Sequence, residues 1–484
     1  MAILVALAAG LGALVGLALG FAPDRGPLSL GSHYHSYPLP HCVPKYTDGV
    51  SLRFAMVHDV LHERYTRHGE AYYRERNRLV RDAMRTIEVQ EGPEPSSDKY
   101  LALPDDLGAG LDALKDDDEA VRVLRDKLRR QKALGQSGRQ LYTTYANLGT
   151  FLIHGNFRQA VAGDAAAKER VREGLNFISK SIEVNPEAHF GREIWQSRAG
   201  DFLLEAIDKP QILLERDLVG NPLAVEIDPS DRRSISSYEP GRTVEDYGRY
   251  GFDRETILVI EDRKIANSAG YSRETLRKWI TGVGDPPNIP FDEPTLGIIG
   301  MWRLGGGANP HFALALGEIM LRVGQRSIAW CAYERAAQMA DRFWPDAEIQ
   351  KRLLEHCRRR QAVIEQQLPE EERAQLRPQF DAELAYGRRY QERYQAYEAE
   401  RIAEGASIAD EHFYDGFFAT HEPIASPVGD ADLLVVEHGE PVFEFSWPRI
   451  VLSAGVFAFT TAPDVTGAEA RMSPPSMSSS CRAA

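Results

Sequence analysis

Six of the 13 histidines in this chain, His33, His35, His41, His58, His62 and His68, lie near its amino-terminal end. His58 and His62 are four positions apart, one turn of an α-helix, so both imidazoles can face one metal ion. Asp59 stands beside the first of them and His68 follows the second, offering a carboxylate base and a third nitrogen. The four cysteines, Cys42, Cys331, Cys357 and Cys481, form no pair at metal-ligand spacing. Cys331 and Cys357 can meet across neighbouring helices, as a disulfide in an extracytoplasmic compartment or as free buried thiols. Gly305, Gly306 and Gly307 can cradle an anion on backbone N–H groups, but no strand and no Lys-Ser/Thr pair complete a nucleotide loop. No Gly-x-Ser-x-Gly elbow marks a nucleophile.

The run His58-Asp59-Val60-Leu61-His62 with His68 resembles the three-histidine spacing of the metzincin zinc proteases. It departs from that pattern at Asp59, where the family carries the longer Glu, and at Tyr65, where the family needs a Gly to turn the chain. With Tyr65 continuing the helix, His68 is expected to point away from the other two. The leading expectation is therefore a helix surface on which these histidines alternate with Glu63, Arg64 and Arg67. A zinc enzyme of the cell envelope using His58 and His62 is the alternative.

The elements that would position such groups are helical. Phe54, Val57, Leu61 and Tyr65 recur at three- and four-residue steps, predicting a helix over residues 51–87 that Gly69 interrupts. After a loop near residues 92–98, a second helix is predicted over 117–133. It opens on Asp116, Asp117, Asp118 and Glu119 and continues with Arg122, Arg125, Lys127, Arg129 and Arg130. Acids leading and bases trailing suit the helix dipole, and that is the reading of this acidic block. Gly191-Arg192-Glu193 and Arg326 are expected to form ion pairs between helices.

Tyr145, Leu148, Gly149 and Leu152 are followed by Gly174, Ile178, Ser181, Ile182 and then Asn185-Pro186. Leu316, Gly317 and Met320 are followed by Ala329, Tyr333 and Ala336, in a hairpin that starts at Asn309-Pro310. Both sets resemble the tetratricopeptide repeat, although the first is about thirteen residues longer than the roughly 34-residue unit. The resemblance implies antiparallel helix hairpins in a short α-solenoid, with helices at 190–207 and 347–368 completing the stack. It further implies a surface that binds another protein, and no cofactor.

Residues 1–22 hold no charged side chain and match the ~20 residues that cross a membrane, as an anchor helix or a signal peptide. Gly12, Gly16 and Gly20 could let two such helices approach, so oligomerisation is open. The expected organisation runs from this segment to a Pro- and His-rich tether (23–50) and a helical region with the first hairpin (51–208). An irregular insertion (209–307) follows, with a short helix at 272–280. The second hairpin and long carboxy-terminal helices (308–404) come next, then an irregular tail (405–484). Tyr386, Tyr390, Tyr394 and Tyr397 form a stripe read as packing. Residues 447–462 are apolar but broken by Pro448 and Arg449, and 472–484 are Ser/Pro-rich. With a net charge of −14 and no basic stripe, nucleic acid is excluded as a partner. The expected function is a membrane-associated or exported scaffold, its partner a protein and its anchor residues 1–22.

Overall fold

A computed structural model describes residues 56–92, 94–186, 192–223, 292–303, 307, 309–322, 325–410 and 412–421. Among these the chain is mainly α-helical, with no strand and one isolated bridge between Arg216 and Pro222. A short helical segment at 56–61 precedes α1 (Glu70–Glu91). Next come α2 (Asp98–Ala113) and α3 (Asp117–Ala133). The first hairpin is α4 (Tyr142–Val161) and α5 (Ala165–Val184), followed by α6 (Arg192–Asp208) and α7 (Ile212–Glu215). Then α8 (Asp292–Met301) leads to the second hairpin, α9 (Pro310–Arg322) and α10 (Arg326–Ala337). The remainder are α11 (Ala340–Phe343), α12 (Ala347–Gln366), α13 (Glu370–Ala403) and α14 (Asp415–Phe418).

Local signals explain most boundaries. Asp164 caps α5 by accepting from the Ala167 amide at 3.0 Å. Asn309 caps α9 by accepting from the His311 amide at 2.8 Å, with Pro310 at the first helical position. The thirteen extra residues of the first hairpin are not a loop. They lengthen α4 and α5 to 20 residues each, joined by a tight turn in which Gly163 has φ 97°. In contrast, α2 went unread in the sequence, because Pro104, Gly108 and Gly110 look like helix breakers. Packing overrides them: Leu103, Leu107 and Leu111 are buried, and Asp105 and Asp106 pair with Lys127 and Arg76.

Helices adjacent in sequence are adjacent in space from α1 to α6, and the stack continues through α8, α9 and α10 to α12. In the first hairpin a Cβ on Gly149 would lie 2.7 Å from the Gly174 carbonyl oxygen, so the two backbones touch. Leu152 and Ile178 pack at that contact, Leu148 and Ser181 are buried nearby, the former among side chains of α1 to α3, Tyr145 is half-buried against Phe177, and Pro186 follows the end of α5 half-buried. In the second hairpin the Tyr333 ring lies over Gly317, while Leu316, Met320, Ala329 and Ala336 are buried.

The long helix α13, ~51 Å at 1.5 Å per residue, runs back across the stack. Arg377 and Phe380 near its start meet α10, the guanidinium lying 5.2 Å from the Trp330 ring centre. Its far half meets α1 and the 62–69 segment. The Tyr stripe is packing there: Tyr394 stacks on Tyr414 at 5.1 Å, and Tyr397 donates to the Phe413 carbonyl at 2.8 Å, while Tyr386 is exposed. Residues 406–410 and 412–421, expected as the start of an irregular tail, thus pack across α13 as a strap that includes the short helix α14. The ends of the 209–307 insertion are ordered too, with Leu213, Val219, Ile298 and Trp302 in the core.

Residues 1–22, the tether, the helix at 272–280, the apolar run at 447–462 and the terminal Ser/Pro stretch lie outside the described residues. No helix among the described residues is long and apolar enough to cross a membrane.

Candidate functional site

Among the described residues five helix ends close with the same two backbone bonds, and they differ in which residue occupies the left-handed position. At the end of the first segment the Arg64 amide donates to Asp59 O at 2.8 Å and the Glu63 amide to Val60 O at 3.4 Å. The same pattern ends α2 at Lys115, α3 at Gly135, α4 at Gly163 and α13 at Gly405. Glycine holds this position without penalty, but an L-side chain there costs ~1–2 kcal/mol. Glu63 (φ 56°) and Lys115 (φ 65°) are the only non-glycine residues with positive φ among the described residues. Strain of this kind persists where surrounding contacts demand the side chain.

Around Glu63 those contacts are specific. Arg335 on α10 donates to Glu63 Oε1 at 2.5 Å and the Tyr65 hydroxyl donates to Oε2 at 3.0 Å. Gln391 on α13 donates to the carbonyls of Glu63 and Tyr65 at 3.0 and 3.2 Å. Arg64 pairs with Glu383 on α13 and with Asp59 at 3.4 Å. Glycine at 387 lets α13 come this close, since a Cβ there would lie 2.1 Å from the His62 carbonyl oxygen. Burial pulls the Arg335 guanidinium below its ordinary pKa, while Glu63 works to restore it. The segment is a polar keystone wedged between α10 and α13, both of which lie more than 250 positions further along the chain.

The histidines take part in this keystone and do not line a surface. Helix ends at Leu61 instead of continuing through Tyr65, and His58 and His62 are each 1 % exposed. Their rings stack with centroids 4.0 Å apart, and His62 Nδ1 donates to the His58 carbonyl at 2.7 Å. Burial, and then His58, push the His62 pKa well down, so the ring is neutral. His68 diverges to Glu398 on α13 and stacks on Tyr72 at 3.7 Å. The left-handed turn at Glu63 is the reason, since it sends the chain toward α13 and away from the pair. Among the described residues no three His, Cys, Asp or Glu side chains gather as a metal site.

A second polar centre lies between α9, α10 and α12, and no sequence signal pointed to it. Glu318 is fully buried and accepts from Tyr333 at 2.8 Å, His356 at 3.0 Å and Arg360 at 3.0 Å. A Glu inside an apolar run, directly after the pairing Leu316-Gly317, carries no mark of its partners 15 to 42 residues away. Burial and then Glu318 push the neighbouring Cys357 thiol up to about 12, which leaves it protonated and unreactive. Cys331 and Cys357 are both buried, and no disulfide joins them. Arg192 pairs with Glu193 at 3.1 Å within α6, and Glu193 reaches α4 by accepting from the Tyr142 hydroxyl at 2.8 Å.

The outer side of α3, α4 and α5 carries a small open pocket of ≈ 120 Å³, lined by Asp118, Val121, Arg125, Asn156, Arg170 and Glu173. Arg125 bonds Glu173 across it at 2.7 Å. Comparison with protein families, with curated proteins and with solved structures finds no match to this chain.

Proposed function

We propose that this chain is a membrane-associated or exported scaffold that binds another protein through a tetratricopeptide-like helical surface. The contact of Gly149 with Gly174 carries the reading: two helices joined at backbone distance form a hairpin, and such hairpins stack into a continuous outward surface. The Tyr333 ring over Gly317 repeats the principle in the second hairpin. Interior Glu63, Glu318, Arg335 and Arg360 support it further, because each is engaged with a partner in the fold. The polar pocket across α3, α4 and α5, with both signs of charge, is the part of that surface assigned to the partner. Residues 1–22 supply the attachment to the membrane, a role resting on their apolar sequence.

The test is affinity capture from membranes with the full chain and with an Arg125→Glu/Arg170→Glu variant of unchanged circular dichroism. The expected result is a protein that binds the purified wild type directly and loses the variant. Identical captured sets, or no captured protein that binds when purified, would overturn the proposal.

A further inference from the structure

The other strained helix end joins α2 to α3, and three titratable side chains meet beside it. Asp112, buried in the last turn of α2, accepts from His154 Nδ1 on α4 at 2.9 and 3.1 Å through its two oxygens. Asp117, the first residue of α3, sets its carboxyl close against that of Asp112, and its buried Oδ1 accepts from no N–H or O–H donor. It reaches α4 because position 155 is glycine, where a Cβ would lie 2.6 Å from Asp117 Cβ. Two carboxyl groups brought together away from water favour a proton shared between them.

We propose that Asp112, Asp117 and His154 form a proton-operated latch that fastens the α2–α3 turn to α4 under mildly acidic conditions and loosens it as the pH rises. In the fastened state Asp117 carries a proton and donates it to Asp112, whose anion also accepts from the His154 imidazolium. Loss of the Asp117 proton sets two carboxylates against each other, and loss of the His154 proton removes the cation that balances them.

The surrounding charges are few. Lys115, in the turn itself, favours the ionised carboxyls, and Tyr73 faces Asp112 from α1. Asp118 and Arg125 on α3, and Arg170 and Glu173 on α5, line the pocket beside Asp117. Burial, then Asp112, push the Asp117 carboxyl from 3.8 up to about 6. Burial lowers His154, but Asp112 outweighs it and the pKa ends above 6.5. Burial raises Asp112, but His154 outweighs it and the pKa ends below 3.8.

The signs follow from linkage. Asp117 has a raised pKa, so its stabilisation is complete below 3.8 and is lost as the pH rises through about 6. His154 is also raised, so its share is complete below 6.5 and is lost above that. Asp112 is depressed, so its share is present above 3.8 and lost on further acidification. The latch is therefore tightest near about pH 4–5 and opens from there toward alkaline pH.

Amide hydrogen exchange of the full chain, corrected for the intrinsic rate, tests it. Between about pH 5 and pH 7.5 protection of residues 114–120 should fall several-fold in the wild type. The fall should be clearly smaller in Asp117→Asn, whose amide is a permanent neutral donor, because only the His154 share is then lost. Parallel profiles for the two proteins would overturn the latch. Should Asp117→Asn fail to fold, the His154 ring-proton NMR titration of the wild type decides instead. A midpoint above that of free histidine supports the proposal, and a midpoint at or below it overturns it.

Discussion

At Glu63 and at Lys115 the chain leaves a helix through the same pair of backbone bonds and the same left-handed residue, yet the two side chains go opposite ways. Glu63 turns inward to Arg335 and Tyr65, where it joins α10 to the amino-terminal segment. Lys115 is exposed, and its ammonium acts on Asp112 and Asp117 only through the field. A strained backbone position is thus held by contact in one region and merely tolerated in the other. The three glycines at the remaining ends show what the backbone itself prefers.

Substituting glycine at each strained position separates the two cases. The largest effect is expected for Glu63→Gly. It relieves ~1–2 kcal/mol of strain but strands a buried guanidinium at ~3–5 kcal/mol, for a net loss of ~1–4 kcal/mol in chemical denaturation. A neutral or stabilising result would erase the distinction between the two ends. A smaller net change is expected when Arg335→Met accompanies Glu63→Gly, because both buried charges then leave together and stability returns to within ~1 kcal/mol of the wild type. A double-mutant cycle reads this directly, and additive losses would mean that the pair does not couple the segment to α10. The smallest effect, opposite in sign, is expected for Lys115→Gly, a gain of ~0.5–1 kcal/mol after the added freedom of the unfolded chain is subtracted. Destabilisation there would show that the lysine is also held by contact.

Much of the fold was legible in the sequence wherever its cause is local. The helix predicted over 117–133 matches α3, whose acids lead and bases trail. Asn309-Pro310 starts α9 as its capping chemistry requires, and Gly149 and Gly317 sit at helix contacts as their lack of a side chain allows. The acidic block was legible only in part. Reading it as a match to the helix dipole accounts for Asp118 and Glu119, but Asp117 turns back to Asp112, a contact set by Gly155 on another helix.

The keystone was less legible still. The spacing of His58 and His62 correctly placed them one turn apart, but nothing in it told metal ligand from stacked, buried packing. The one signal in the sequence was the density of ionisable residues from His58 to His68, too many for an apolar helix face.

What the sequence determined by itself is the helical class and most helix boundaries, because periodicity, caps and breakers act within a turn or two of the chain. Tertiary structure alone decided that α2 survives its proline, that the helix stops at Leu61 rather than running through Tyr65, and that Glu63 accepts a left-handed backbone. Each of these is a local cost outweighed by a remote partner: Lys127 and Arg76 for α2, and Arg335 and α13 for the turn at Glu63. The Glu63–Arg335 pair spans 272 positions, and a preference read over a few residues carries no information at that distance.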